Sequence, residues 1–145
     1  MDFYKEQYII SIDKEKLDIP FIQRFLAHSY WAENIPVAIV EKSIEGSFCF
    51  GVYEGSRQIG FARVITDYAT FGYLADVFID EQFRGRGLSK WLMEIITAHP
   101  QLQDFRVWLL GTKDAHGLYA QFGFTALDNP ERFMRKAVPD IYKNS

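Results

Sequence analysis

The chain has a single cysteine, Cys49, and that scarcity removes several chemistries at once. No internal disulfide can form, and neither a CxxC redox pair nor a multi-cysteine zinc site is available. Cys49 lies in SFCFGVY, an alternating strand-like run in which a small thiol is expected to be buried and inert. Positive charge is also in short supply, with 16 Lys and Arg against 19 Asp and Glu and a formal net charge of −3. A dedicated nucleic-acid binder neutralises phosphates with such residues, so no nucleic-acid partner is expected. No run approaches eighteen apolar residues, which argues against a helical membrane span and a membrane partner. MDFYKEQYII lacks a basic segment leading into an apolar one, so no secretory signal is expected and a cytoplasmic location is. Three histidines, His28, His99 and His116, are separated by 71 and 17 residues and prescribe no metal geometry.

What is present fits one folded unit. The 145 residues are 48% apolar and carry no repeat, linker or low-complexity segment, so a single domain over residues 1–145 is expected. Tyr8 to Ile12 predicts a first strand. Asp18 can cap a helix whose first turn tolerates Pro20, with Phe21, Phe25 and His28 or Ser29 at helical spacing up to Tyr30–Trp31. PVAIVEKSI holds two further helical turns before Gly46. Phe48 to Tyr53 is apolar on both faces, as in a central strand. EGSR turns the chain into a hairpin partner over Ile59–Ile65, and Phe71–Ile79 forms another strand.

From Gly87 the period changes. Leu88, Trp91, Leu92, Ile95, Ile96 and His99 fall on one stripe of an amphipathic helix that Pro100 stops. Phe105–Leu110 predicts a strand, Ala115–Gln121 a short helix and GFTAL a last strand, while ERFMRK fits strand or helix. An antiparallel front half is thus joined to a strand–helix–strand unit, a mixed α/β order rather than a doubly wound dinucleotide fold.

Between the Phe71–Ile79 strand and the long helix lies DEQFRGRGLSKWL. A strand emptying into a helix there leaves several backbone N–H groups unpaired, and the helix dipole adds partial positive charge. Gly85 and Gly87 let backbone approach a ligand, and Arg84 and Arg86 add full charges. The combination suits a phosphate or pyrophosphate. GRGLSKW does not supply a Walker A loop, and Lys90 stands where the dinucleotide fingerprint needs its third glycine. A helix start that merely turns on glycine remains the plain alternative.

Gln82-Phe83-Arg84-Gly85-Arg86-Gly87 resembles the acyl-coenzyme A loop of the GCN5-related N-acetyltransferase (GNAT) family, and Leu88-Ser89 resembles its continuation. Leu118-Tyr119-Ala120-Gln121-Phe122-Gly123-Phe124 resembles the family's LYxxxGF segment, and the element order agrees from Tyr8 to Phe124. The resemblance implies an acyl-CoA N-acyltransferase fold, a mixed, mostly antiparallel twisted sheet flanked by helices. It implies acetyl-CoA as acyl donor, with amides from Gln82 to Ser89 on the pyrophosphate and the Val77-Phe78-Ile79 backbone pairing with the pantetheine. Tyr119 would be the general acid.

The family often carries a glutamate on the strand equivalent to Phe71–Ile79; here the acidic residue is Asp76, read either as a base or as a partner for Arg63. Alternation puts Asp76 on one side with Leu74 and Phe78. Asp67 and Glu33 lie in loops that could reach the acceptor. The family's asparagine before the tyrosine is replaced in GTKDAHGLY, where Thr112 or Asp114 would meet the cofactor, or Asp114 would cap the short helix. The reaction implied is acetyl transfer to an amine, with a small primary amine as substrate. An acceptor rim would come from Tyr30, Trp31, Glu33, Asp67, Tyr68, Phe71, Tyr73 and Phe133. An acyl-CoA sensor, a protein N-acetyltransferase and a homodimer stay open.

Overall fold

Among residues 1–143, which the computed structural model describes, six strands form one sheet in chain order. They are β1 (Asp2–Lys5), β2 (Tyr8–Ser11), β3 (Phe48–Glu54), β4 (Arg57–Thr66), β5 (Phe71–Ile79) and β6 (Val107–Leu110). Neighbours are antiparallel except β5 and β6, which run parallel. Four helices flank the sheet: α1 (Ile19–Ala27), α2 (Val37–Glu45), α3 (Leu88–Ala98) and α4 (His116–Ala120). This is the mixed, mostly antiparallel sheet expected from the sequence.

The two faces of the sheet bury separate apolar groups. One receives the α3 stripe, where Leu88, Trp91, Leu92, Met93 and Ile96 pack against Phe50, Val52, Ala62 and Leu74. The other receives α1 and α2, which set Ile22, Leu26, Val40 and Ile44 against Cys49, Phe61 and Phe78. Double-sided burial explains why β3 is apolar from Phe48 to Tyr53 and β4 from Ile59 to Ala62. Asp18 caps α1 by accepting from the Phe21 amide at 3.1 Å, with Pro20 in the first turn.

Four local expectations change. β1 is an additional edge strand, hidden in sequence by its half-exposed, charged composition. Helix α1 stops at Ala27, where Ser29 Oγ donates to the Leu26 carbonyl at 2.6 Å and accepts from the Ala32 amide at 3.1 Å. β6 begins only at Val107. GFTAL is not a strand. Gly123 is left-handed at φ 91°, its amide donates to the Ala120 carbonyl at 3.3 Å, and the Phe124 amide donates to the Tyr119 carbonyl at 3.3 Å. Those two bonds form a Schellman cap, so Gly-Phe closes α4 instead of opening a strand.

The decisive irregularity lies in β5. Phe61 of β4 faces Phe78, but Arg63 faces Ala75, so β5 carries one extra residue and bulges. Asp76 sits in the bulge with φ 53°. Expected alternation therefore fails: Leu74 packs on the α3 face and Phe78 on the α1–α2 face. β6 pairs with β5 only from Phe71 to Leu74, leaving the following stretch of β5 without a strand partner on that edge. The sheet opens there.

Candidate active site

The opening between β5 and β6 leads into a cleft of about 920 Å³. Its floor is β5, through Val77, Phe78 and Ile79. One wall is a helical stripe of α1, with Phe21, Arg24, Phe25 and His28 at i, i+3, i+4 and i+7. The opposite wall is Asp114, Ala115, Leu118 and Tyr119, and Tyr30 and Trp31 close one end. Phe25 stacks on Phe78 with centroids 3.8 Å apart and planes 6° from parallel, which joins α1 to the strand.

At the other end β5 passes into the glycine loop. The amides of Gln82, Phe83 and Arg84 are occupied, donating to Asp80 Oδ1 at 3.2 Å, the Asp80 carbonyl at 2.8 Å and the Glu81 carbonyl at 3.4 Å. From there the pattern changes: the amides of Gly85, Arg86, Gly87, Leu88, Ser89 and Lys90 find no acceptor among the described residues. Gly85 and Gly87 have φ 80° and 75°, the left-handed region that glycine enters without strain. A Cβ at either position would meet nothing within 4 Å, so glycine is needed for backbone shape rather than for space. A smaller hollow of about 240 Å³ lies over this turn, lined by Arg84, Gly85, Gly87, Leu88, Ser89 and Lys90. Free amides, a helix start and cationic side chains fit a diphosphate group.

The arginines divide their work. Arg84 donates its Nε to the Ile79 carbonyl at 3.1 Å and borders both hollows. Arg86 turns away, donating to the Tyr8 hydroxyl at 2.8 Å and covering the buried Phe83 ring at 5.0 Å. Gln82 also faces elsewhere, accepting from Arg57 Nη2 at 3.3 Å. Their side chains anchor the loop instead of lining it.

Tyr119 is buried but borders the cleft, with its ring edge-on to Phe124 at 6.0 Å. Burial, with Tyr30 and Asp114 adding to it, pushes its phenol above the usual value of 10. It therefore stays protonated at neutral pH and can give a proton away. Asp114 lines the cleft but does not cap α4. Thr112 Oγ1 accepts from the Ala115 amide at 3.1 Å and lies outside the cleft lining.

Both oxygens of Asp76 are taken. Arg63 Nε donates to Oδ2 at 2.8 Å and Trp31 Nε1 donates to Oδ1 at 2.8 Å. The Arg63 pairing expected as one alternative is thus the arrangement found. Asp67 accepts from the Ala69, Thr70 and Phe71 amides and from the Thr70 hydroxyl, which hold its carboxyl far below the usual range and build the β4–β5 turn. Asp67, Glu33, Tyr68, Phe71, Tyr73 and Phe133 do not line the cleft; of the expected rim, Tyr30 and Trp31 do. The wall of α1 was missed, although Phe21, Phe25 and His28 already stood at helical spacing. Cys49 is buried, and burial pushes its thiol up to about 11. Among the described residues no group of three or more His, Cys, Asp or Glu could hold a metal ion, and no helix is long and apolar enough to cross a membrane.

Comparison with known proteins gives the family and the fold. The family model described as an acetyltransferase (GNAT) domain matches residues 45–126. FG08082 of Gibberella zeae, a protein named as an acetyltransferase, is 31% identical, with 75% of this chain and 74% of that protein covered. A solved structure from Xanthomonas campestris pv. campestris, assigned to the GNAT family, superposes with a TM-score of 0.92 at 48% identity, covering 94% of this chain and 97% of that one. A GNAT acetyltransferase from Elizabethkingia anophelis, solved with acetyl-CoA bound, shares the fold at a TM-score of 0.63 and 15% identity, covering 86% and 80%.

Proposed function

Given that the chain belongs to the GNAT acetyltransferase family, we propose that it is an acetyl-CoA-dependent enzyme passing the acetyl group directly to a primary amine of a small molecule. The observation that carries this reading is the continuity of three features. Six free amides at Gly85–Lys90 follow a stretch of β5 whose edge beyond Leu74 has no strand partner, and Val77, Phe78 and Ile79 of that stretch line the same cleft as Tyr119.

Each part has a chemical task. The free amides and Arg84 hold the diphosphate. Val77, Phe78 and Ile79 offer an open backbone edge to the amide-rich pantetheine, as a sheet edge receives an added strand. A preorganised N–H on that edge stabilises negative charge developing on the thioester oxygen. Tyr119 donates a proton to the departing thiolate. The buried, protonated thiol of Cys49 is unsuited to nucleophilic attack, which favours direct transfer over a covalent enzyme intermediate. Trp31, exposed at the cleft mouth, and Asp114 suit a cationic amine through cation–π and charge attraction, whereas the Tyr30 ring already faces Lys113 Nζ at 5.5 Å.

Calorimetry with acetyl-CoA, followed by labelled acetyl transfer to a panel of amino acids, polyamines and aromatic amines, tests the proposal. Binding and transfer are the expected results. Absence of binding ends it, and binding without transfer to any amine favours an acyl-CoA sensor.

A further inference from the structure

Acetyl transfer to an amine requires a group that removes a proton from the incoming ammonium; Asp114 lines the cleft and is the rival that the test below separates, while the other carboxylates are engaged or remote. Asp76 is held at both oxygens, Asp67 is bound into its own turn and Glu33 does not border the cleft. Asp80 accepts from the Gln82 amide and faces Arg57 at 3.6 Å. His28 is different. Its Nδ1 lies 2.7 Å from the Arg24 carbonyl, and because a carbonyl can only accept, Nδ1 carries the hydrogen. In the neutral ring the lone pair is therefore on Nε2, which no donor among the described residues reaches. His28 borders the cleft and is exposed enough to pass a proton on to solvent.

Its position along the cleft is as telling as its tautomer. Phe21 and Phe25 lie against Phe78, while Trp31 reaches Asp76, two residues further from the glycine loop. The direction from Phe21 to Trp31 thus leads away from the diphosphate end towards the acyl end. His28 falls late on that path, two residues before Tyr30, and both line the same cleft as Tyr119.

We propose that His28 Nε2 is the general base that deprotonates the acceptor amine. This rests on the acetyltransferase reading given above. The ammonium gives one proton to Nε2, and the neutral amine forms the C–N bond to the thioester carbon. Collapse of the tetrahedral adduct breaks the C–S bond. Tyr119 protonates the leaving sulfur and recovers a proton from the new amide nitrogen, while His28 releases its own to solvent. The Nδ1–H bond to Arg24 strengthens when the ring is charged and keeps it oriented. The other titratable or charged side chains facing this cleft are Arg24 from α1, Tyr30, Asp80, Arg84, Asp114 and Tyr119.

The test is kcat/KM against pH for thiol release from acetyl-CoA, using the best amine of the panel. His28→Asn retains a donor for the Arg24 carbonyl but has no basic nitrogen. It is expected to lose about 10²-fold in kcat/KM together with the acidic limb of the profile, while acetyl-CoA affinity by calorimetry is kept. In His28→Ala, added imidazole should restore part of the rate, a readout that a packing role would not move. Asp114→Asn should retain the acidic limb whatever its effect on KM. Wild-type transfer with an unchanged limb in both His28 variants, or loss of the limb in Asp114→Asn instead, overturns the role of His28 alone. Absence of transfer by the wild-type chain overturns the acetyltransferase reading, and His28's role with it.

Discussion

The indole N–H of Trp31 donates to Asp76 Oδ1 at 2.8 Å, so an exposed aromatic of the cleft wall is tied to the bulge of β5. The opposite carboxylate oxygen is held by Arg63, whose Nη1 donates to Ser47 Oγ at 3.0 Å, and Ser47 Oγ donates in turn to the Ser43 carbonyl of α2 at 2.7 Å. The chain of bonds thus runs from α2 through the sheet to the acceptor end. Asp76→Asn keeps a side chain that tolerates φ 53° but removes the charge. Arg63 and Asp76 side chains are only 16% and 10% exposed, so breaking the pair should cost about 3 kcal/mol in urea unfolding. Among the molecules that remain folded, KM for the amine should rise more than kcat falls. A collapse of kcat with KM unchanged would instead make Asp76 a direct participant in the chemistry.

Tyr119→Phe should leave the fold and acetyl-CoA affinity intact, because the ring's contact with Phe124 survives and the hydroxyl has no hydrogen-bond partner to lose among the described residues. The rate of thiol release should drop about 10²-fold. Since the folded protein raises this phenol above 10, ionisation of Tyr119 should produce no falling limb in kcat below pH about 10. A limb at neutral pH that disappears in Tyr119→Phe would contradict the assignment.

Gly87 opens α3 in the left-handed region at φ 75°, and no neighbouring atom would obstruct a Cβ. The cost of substitution is therefore conformational, about 1–2 kcal/mol for alanine and less for asparagine, which enters this region more readily. Acetyl-CoA affinity measured by calorimetry should fall in the order glycine, asparagine, alanine, valine, as the free amides lose their common direction. Equal affinities across the series would separate the glycine turn from the diphosphate.

Gly60 offers a contrasting case, because space rather than φ is limiting. A Cβ there would lie 2.7 Å from Ile79 Cδ1, 3.0 Å from the Phe78 carbonyl oxygen and 3.2 Å from Val52 Cβ. Gly60→Ala must turn the Ile79 side chain aside and shift the Phe78 carbonyl by a few tenths of an ångström, just where β5 enters the glycine loop. Thermal unfolding should show a loss of about 1–3 kcal/mol, and acetyl-CoA affinity should weaken as well. Unchanged stability would mean that β5 yields more easily than its pairing implies.

Much of this arrangement was legible in the chain because the signals were local. The α3 stripe, the apolar β3–β4 hairpin and QFRGRG each specify their own surroundings, and the observed β5 has the expected limits. The bulge at Asp76 was not legible, since an extra residue in a strand is defined by its partner's register. GFTAL misled for a related reason: alternating apolar residues resemble a strand, whereas Gly123 and Phe124 are committed to the cap of α4. That cap sets Phe124 against Tyr119, so LYAQFGF positions the phenol through its final two residues. The α1 wall was visible as a periodic pattern, but which face would remain uncovered depended on how the sheet opened.

His99 supplies a prediction about stability that is independent of catalysis. It is buried against Phe3, Phe48 and Phe50; its Nδ1 accepts from the Gln101 amide at 3.2 Å, so Nε2 carries the hydrogen and has no partner among the described residues. Burial, assisted by the positive amino terminus, pushes its pKa below the usual 6.5. Protonation would also remove the lone pair that receives the Gln101 amide. The unfolded chain therefore binds a proton more readily than the folded one, and stability falls as protons are added. The contribution of His99 should be complete above pH about 6.5 and decline as pH drops through the lower folded value. Urea unfolding at a series of pH values should show this slope in the wild-type chain and a shallower one in His99→Gln, which has no titrating ring. Parallel slopes in the two proteins would assign the acid sensitivity to other groups.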